Sequence, residues 1–161
     1  MARRPARTRP AHTQRRRPHF FRPVPVRARK DGWSIERQCA FLAELYVTGS
    51  VRAAAASVGK SAVGAYALRK RDDAASFTRA WDSVLAKPGI GKLPPLGPQK
   101  SKLTQRELVE RVETGLVQPV IYRGRMTAIL RKADNSALLE LFSRTNRRRL
   151  LELARECGEG D

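Results

Sequence analysis

The chain has 161 residues, a length that allows one or two small domains. It carries 33 Lys+Arg against 15 Asp+Glu, a formal net charge of +18, which favours a polyanionic partner such as nucleic acid. No apolar run approaches the roughly 20 residues of a membrane span, and no secretory signal is visible, so we expect no membrane partner. Cys39 and Cys157 have no companions at metal-ligand spacing, so we expect a reduced, cytoplasmic setting and no metal.

Residues 1–30 are the most basic part of the chain. They hold eleven Lys+Arg, five prolines and no acidic residue. Prolines block regular helix and like charges repel, so we predict a disordered arm with Phe20 and Phe21 exposed. Such an arm follows phosphates or lies in a minor groove, or it is a solubilising tail without fixed contacts.

Three short helical patterns lie between Trp33 and Arg71. Ser34, Ser50 and Ser61 are each placed to cap a helix, because a serine hydroxyl accepts a free amide of the first turn. Apolar residues then recur at the three- and four-residue spacing of a helix face. An alanine-rich helix, a glycine turn and a helix ending in three basic residues are typical of a helix-turn-helix. A fourth helix over 72–86 completes a predicted DNA-binding domain over 31–86.

This segment resembles the homeodomain-like helix-turn-helix of bacterial and phage proteins, including phage terminase small subunits and related prophage regulators. The resemblance covers about 33 to 85 and rests on the pattern GW-x-x-E-R-Q-x-x-F-L-x-x-L-x-x-T-G-S-V-x-x-A-A-x-x-V-G-x-S-x-x-x-A-Y-x-L-R. It implies a DNA-binding module that serves packaging proteins, transposases and repressors alike.

We predict that the third helix enters the major groove of DNA. The residues near its start that would face bases are small, so they cannot make the bidentate hydrogen bonds that read guanine or adenine. We therefore expect weak base discrimination, with most affinity coming from phosphate contacts. The predicted DNA-contacting residues are Arg52, Lys60, Ser61, Ala62, Val63, Gly64, Ala67, Arg69, Lys70 and Arg71.

A linker is predicted over 87–102, because its first fifteen residues hold four prolines and three glycines. Residues 103–156 follow as a helix–hairpin–helix region that we expect to support oligomerisation, with a tail over 157–161. Its first helix begins with a capping box formed by Thr104 and Glu107. A leucine-rich helix starting at Asp134 or Asn135 covers the hairpin, and a further helix is predicted from Asn146 to Glu156.

The hairpin is predicted to turn at Arg123-Gly124, with Tyr122 opposite Arg125 and Ile121 opposite Met126. A regular register then divides the side chains into two faces. The apolar face, which needs cover, is predicted to contain Val117, Pro119, Ile121, Met126, Ala128 and Leu130.

Residues 104–145 are similar to a segment of many terminase-small-subunit-like proteins. There a helix ends in glycine, and a hairpin leads to a basic strand and a leucine-rich helix. The chain departs from that pattern at Thr127-Ala128, where a glycine is common, and at Ala133, where an aromatic is common. The matching residues are Gly115, Leu116, Pro119, Val120, Tyr122, Gly124, Arg131, Asp134, Leu138 and Leu139.

The predicted fold is therefore mainly α, a homeodomain-like helix-turn-helix followed by a small helix–hairpin–helix region. We find no catalytic set and no cofactor loop, so we expect a protein that is not an enzyme and needs no cofactor. The first hypothesis is that the chain is a terminase-small-subunit-like DNA recognition protein. It would bind double-stranded DNA, form a homo-oligomer and work with a larger phage packaging subunit. A prophage or bacterial transcriptional regulator, and a basic RNA- or protein-binding adaptor, are the alternatives.

Overall fold

The computed structural model of the chain describes residues 15–26, 31–86 and 103–158, the last six of them by backbone only. The predicted linker, residues 1–14 and 27–30 of the predicted arm and residues 159–161 of the predicted tail lie outside the described residues. The elements, in chain order, are α1 (Ile35–Thr48), α2 (Val51–Ser57), α3 (Ala62–Arg69), a 3-10 turn (Asp72–Ala74), α4 (Ala75–Leu85), α5 (Gln105–Thr114), β1 (Leu116–Tyr122), β2 (Arg125–Lys132) and α6 (Asn135–Gly158).

The predicted fold class is confirmed: the chain is mainly helical, with one two-stranded antiparallel hairpin before the last helix. The helix starts follow the predicted caps. The hydroxyls of Ser34, Ser50 and Ser61 accept the backbone N–H three residues on, at 3.3, 3.3 and 3.0 Å. Thr104 and Glu107 form the capping box of α5. These contacts are local, so the sequence pattern predicts them well.

An aromatic cluster forms the centre of the core. Trp81 on α4 lies 4.6 Å from the Phe41 ring of α1, centroid to centroid, and Phe77 lies 6.0 Å from Trp81. All three side chains are fully buried. The ring of Phe21 completes the cluster, with its centroid 5.7 Å from that of Phe77. The core therefore depends on a residue from outside the helical region.

The prediction of a disordered arm with an exposed Phe20-Phe21 pair is wrong for residues 15–26. Phe21 is 0% exposed, and Val24 is also buried. The backbone N–H and C=O groups of Phe21 bond to those of Val117 on β1, both at 2.9 Å. Burial of a phenylalanine side chain and two sheet hydrogen bonds outweigh the repulsion between the arginines of this segment.

This N-terminal segment, residues 15–26, runs antiparallel to α1. At one end the Arg15 guanidinium donates to the carbonyls of Tyr46 and Val47, at 2.9 and 2.8 Å. At the other end the buried side chain of Gln38 exchanges two hydrogen bonds with the backbone of Val24, at 2.8 and 2.9 Å. The Gln38 side-chain amide therefore makes the two hydrogen bonds that a neighbouring strand would otherwise make with this part of the backbone.

The hairpin packs on α1 and shares its core, rather than forming a separate unit after a linker. Val117 and Ile121 belong to the same buried cluster as Phe41. The predicted pairs Tyr122–Arg125 and Ile121–Met126 are confirmed.

A register shift next to Val120 changes the rest of the hairpin. Ile129 faces Pro119 and packs on the core, whereas Ala128 and Leu130, predicted for the apolar face, are exposed. A single bulged residue moves every later side chain to the opposite face, so the predicted faces of the second strand are wrong only beyond the bulge.

The hairpin tip points toward the C-terminal end of α1. The Gln118 side chain donates to the Pro18 carbonyl at 2.7 Å, and Val117 pairs with Phe21, so β1 and the N-terminal segment are antiparallel. Because that segment is itself antiparallel to α1, β1 runs in the same general direction as α1. The turn at Arg123-Gly124 therefore lies toward the end of α1 at which α2 begins.

The last helix is a single element rather than the two predicted helices. No proline or glycine interrupts residues 135–157, and the Thr145 hydroxyl donates to the Leu141 carbonyl one turn back, at 2.9 Å. α6 packs on α5 and begins at Asp134, whose carboxylate accepts the Ala137 N–H at 3.2 Å. The same carboxylate forms an ion pair with Arg22.

Candidate nucleic-acid interface

Small side chains hold α2 and α3 close together. Ala54 and Ala55 on α2 and Ala65 on α3 are fully buried, so the two helices cross without large side chains between them. The turn between them needs a left-handed residue, which Gly59 supplies with a φ of 69°. The Lys60 N–H then donates to the Ala55 carbonyl at 2.9 Å and closes the turn. This geometry is that of the predicted helix-turn-helix.

The outward face of α3 that begins at its first turn carries small side chains. Val63 is 78% exposed, and Ala67 is exposed one turn later on the same face. Ala62 and Gly64 are partly exposed beside it. The Ser61 hydroxyl accepts the Gly64 N–H, which leaves its own O–H available as a donor. The first turn of α3 can therefore approach a groove closely.

Three of the predicted phosphate-binding cations form no ion pair within the described residues. Arg52 on α2 and Lys70 after α3 are exposed, and Lys60 in the turn is partly exposed. All three lie on α2, α3 or the residues directly flanking α3. No acidic residue occurs between Leu45 and Arg71 in the sequence, so these cations face no carboxylate from their own elements.

The other two predicted cations are held by intramolecular contacts. The Arg69 guanidinium donates to Asp82 at 2.7 Å and lies 5.4 Å from the centre of the Trp81 ring. Arg71 makes two hydrogen bonds to Asp73, at 2.8 and 2.6 Å, and a third to the Pro25 carbonyl at 3.0 Å. The hydrogen bond with Asp73 raises the pKa of Arg71 above its ordinary value.

These pairs move Arg69 and Arg71 from the predicted contact set toward structural roles. Sequence reasoning placed both near the DNA backbone because they extend the basic end of α3. It did not detect Asp82, which lies thirteen residues after Arg69 on α4. Asp73 follows Arg71 by two residues, so the sequence alone could have predicted the Arg71–Asp73 ion pair from this close acidic neighbour.

Arg15 belongs to the predicted arm, for which the sequence left phosphate contacts and a tail without fixed contacts as alternatives, and the structure gives it an intramolecular contact instead. Its two hydrogen bonds satisfy carbonyls at the C-terminal end of α1, where a positive charge also complements the helix dipole. The partner carbonyls lie more than thirty residues away, so no local pattern predicts this contact.

No protein-family model, curated protein or solved structure matches the chain. Among the described residues, no three His, Cys, Asp or Glu side chains meet in a way that could hold a metal ion. Every helix within the described ranges is too short or too polar to span a lipid bilayer.

Proposed function

We propose that the chain is a DNA-binding protein that inserts α3 into the major groove of a duplex. The observation that carries this proposal is the α2–α3 surface, which combines an exposed helix face of small side chains with three cations that form no ion pair in the described part of the chain, on two helices that contain no acidic residue. Phosphates are the ligand for such cations, and the small residues at the start of α3 allow close approach to base edges. Val63 can contact a thymine methyl group.

The affinity for DNA should depend on Lys60 and Lys70. Exchanging both for glutamate should weaken duplex binding by at least about tenfold at low salt and should reduce the slope of log K against log salt by roughly 2, since each phosphate contact contributes roughly 0.9. Fluorescence anisotropy with a labelled duplex measures both quantities.

The matched control is the exchange of Arg106 and Arg148 for glutamate. Both side chains are exposed, on α5 and α6, and the net charge changes by the same amount. Equal weakening by the two double variants would show that only the total charge matters. Unchanged affinity of a folded Lys60/Lys70 variant would contradict the proposed interface.

We propose further that the protein acts as a homo-oligomeric recognition subunit of the terminase-small-subunit type. The supporting observation is α6, which packs on α5 but leaves large apolar side chains in water. Leu139, Phe142 and Leu150 lie on one face of this helix and are 66%, 63% and 67% exposed. Large apolar side chains exposed on one face of a helix are typical of a protein–protein interface. A larger packaging subunit is the proposed further partner.

The mass of the protein in solution tests this second proposal. We expect a stable assembly of several chains, which exchange of Leu139 and Phe142 for serine should convert to a monomer, because the apolar stripe would lose its central contacts. Multi-angle light scattering with and without a duplex gives the copy number. A parent protein that stays monomeric at high concentration would contradict self-association. A dimer on a palindromic site would instead favour the transcriptional regulator.

A further inference from the structure

The tip of the hairpin is a second exposed basic surface, separate from α2 and α3. It consists of Tyr122, Arg123, Gly124 and Arg125, and the Tyr122 side chain is 61% exposed. A side chain added at Gly124 would meet no atom within 4 Å, so the tip projects into open space. The hairpin as a whole contains four basic residues and no acidic residue. Its charge is therefore not balanced within its own strands.

The backbone at the tip is not one that arginine favours. Arg123 has a φ of 48°, and it is the one residue other than glycine with a positive φ in the described part of the chain. Two-residue hairpin turns with two left-handed residues prefer Asn-Gly or Asp-Gly, because asparagine and aspartate tolerate this region. The preference of the turn therefore does not explain why an arginine stands at this position. A function of its side chain is the alternative explanation.

The arginine is also oriented for contact with an anion. Its guanidinium carbon lies 5.2 Å from the centre of the Tyr122 ring. A guanidinium that stacks on an aromatic ring keeps the N–H groups at its edge free for hydrogen bonds to phosphate oxygens. Arg125 pairs with Tyr122 across the hairpin, so both arginines flank the same exposed ring.

The tip is fixed to the body of the protein at its base. Ile121, directly before Tyr122, is buried, and Val117 is buried and paired with Phe21 on the other side of β1. The hairpin is therefore packed on α1, and the edge of β1 is paired with the N-terminal segment. Because β1 runs along α1 toward the α1–α2 turn, the tip lies at the end of the molecule where α2 begins. In homeodomains, the turn between the first two helices is a site of DNA-backbone contact.

We propose that the hairpin tip, through Arg123 and Arg125, binds the phosphate backbone of duplex DNA beside the groove that α3 enters. This inference rests on the proposed function of the α2–α3 surface. Tyr122 holds the Arg123 guanidinium in place, and the two arginines add phosphate contacts that the helix-turn-helix does not reach. The tip offers two guanidinium groups, which suit backbone phosphates, and only one aromatic ring. Single-strand binding uses rows of stacking rings, so the proposed ligand is duplex DNA.

The test uses the full-length chain with Arg123→Asn and Arg125→Gln. Asparagine suits the left-handed turn, so the melting temperature should stay the same or rise while affinity for a duplex of about 30 base pairs falls roughly tenfold at low salt. The salt slope should decrease by roughly 2. Arg125→Gln alone, which leaves both turn residues in place, should give about half of that change in slope. Loss of binding without loss of stability is a result that a purely structural role would not give.

The control removes two charges elsewhere, by Arg106→Gln and Arg148→Gln, and should leave affinity close to that of the parent. Equal weakening in this control, or parental affinity and slope in the tip variants, would overturn the proposal. A tip variant that keeps duplex affinity but loses binding to a 30-nucleotide single strand, DNA or RNA, would also overturn it. If the Lys60/Lys70 variant is weakened and the tip variants are not, only the tip assignment fails. If the parent does not bind a duplex, the proposed function fails as well.

Discussion

Replacing Asp134 with alanine should lower the free energy of unfolding by about 3 kcal/mol. Asp134 is 3% exposed and performs two tasks. Its carboxylate caps α6 at the Ala137 N–H, and it accepts both the Nε and an Nη of Arg22, at 2.5 and 3.4 Å. Alanine removes the cap, worth about 1 kcal/mol, and leaves the partly buried Arg22 guanidinium without its partner. Urea denaturation followed by circular dichroism measures the loss.

Two comparisons separate these contributions. Asp134→Asn keeps an oxygen that caps the helix but removes the charge, so we expect its free energy of unfolding to lie between those of the parent and Asp134→Ala. Asp73→Ala breaks the more exposed ion pair with Arg71 and should cost less than about 1 kcal/mol. Equal losses for Asp73→Ala and Asp134→Ala would show that the Arg22–Asp134 pair is no more important than a surface pair.

The contribution of Asp134 should also depend on pH. Burial alone raises the pKa of its carboxyl, but the hydrogen bonds from Arg22 and the Ala137 N–H, with the charges of Arg22 and Arg111, lower it below the ordinary 3.8. The unfolded chain therefore binds a proton more readily than the folded one. Stabilisation by this group is complete above about pH 4 and is lost as the pH falls through the folded pKa. The difference between the parent and Asp134→Ala should shrink over that range.

Local signals allowed much of the helical structure to be predicted. Ser34, Ser50 and Ser61 mark helix starts because a cap needs only its own first turn, and the glycines at 49 and 59 mark the stops for the same reason. The small residues of α2 and α3 likewise predicted the close crossing of these two helices, in which Ala54, Ala55 and Ala65 are buried. The presence and type of these elements followed from spacing alone.

Contacts between distant residues could not be predicted in the same way. Phe21 pairs with Val117, almost a hundred residues later, and nothing in the basic, proline-rich segment around it indicates a strand. The hairpin bulge shifts the register beyond Val120, and the alternation of the strand itself does not show it. The pairing of Arg69 with Asp82 depends on the crossing of α3 and α4. In each case tertiary packing determined the role of a residue that local composition had assigned differently.

The buried ring of Phe21 leads to the second large effect. Phe21→Ala should destabilise the protein by about 3–5 kcal/mol, because the change removes a fully buried ring and leaves a cavity beside Phe77 that the surrounding helices fill only in part. Phe20→Ala is the matched control, since it deletes the same ring from the neighbouring, half-buried position and should cost about 1 kcal/mol.

Thermal and urea denaturation of the two variants measure the difference, and hydrogen exchange at the Val117 amide, which donates to the Phe21 carbonyl, reports whether the segment still pairs with β1. A disordered arm predicts equal, negligible losses for Phe20→Ala and Phe21→Ala and no change in exchange at Val117. A segment built into the core predicts a large loss for Phe21→Ala alone, with faster exchange at Val117. Equal melting of the two variants would therefore contradict the packing of this segment, and with it the rigid attachment of the hairpin on which its proposed DNA contact depends.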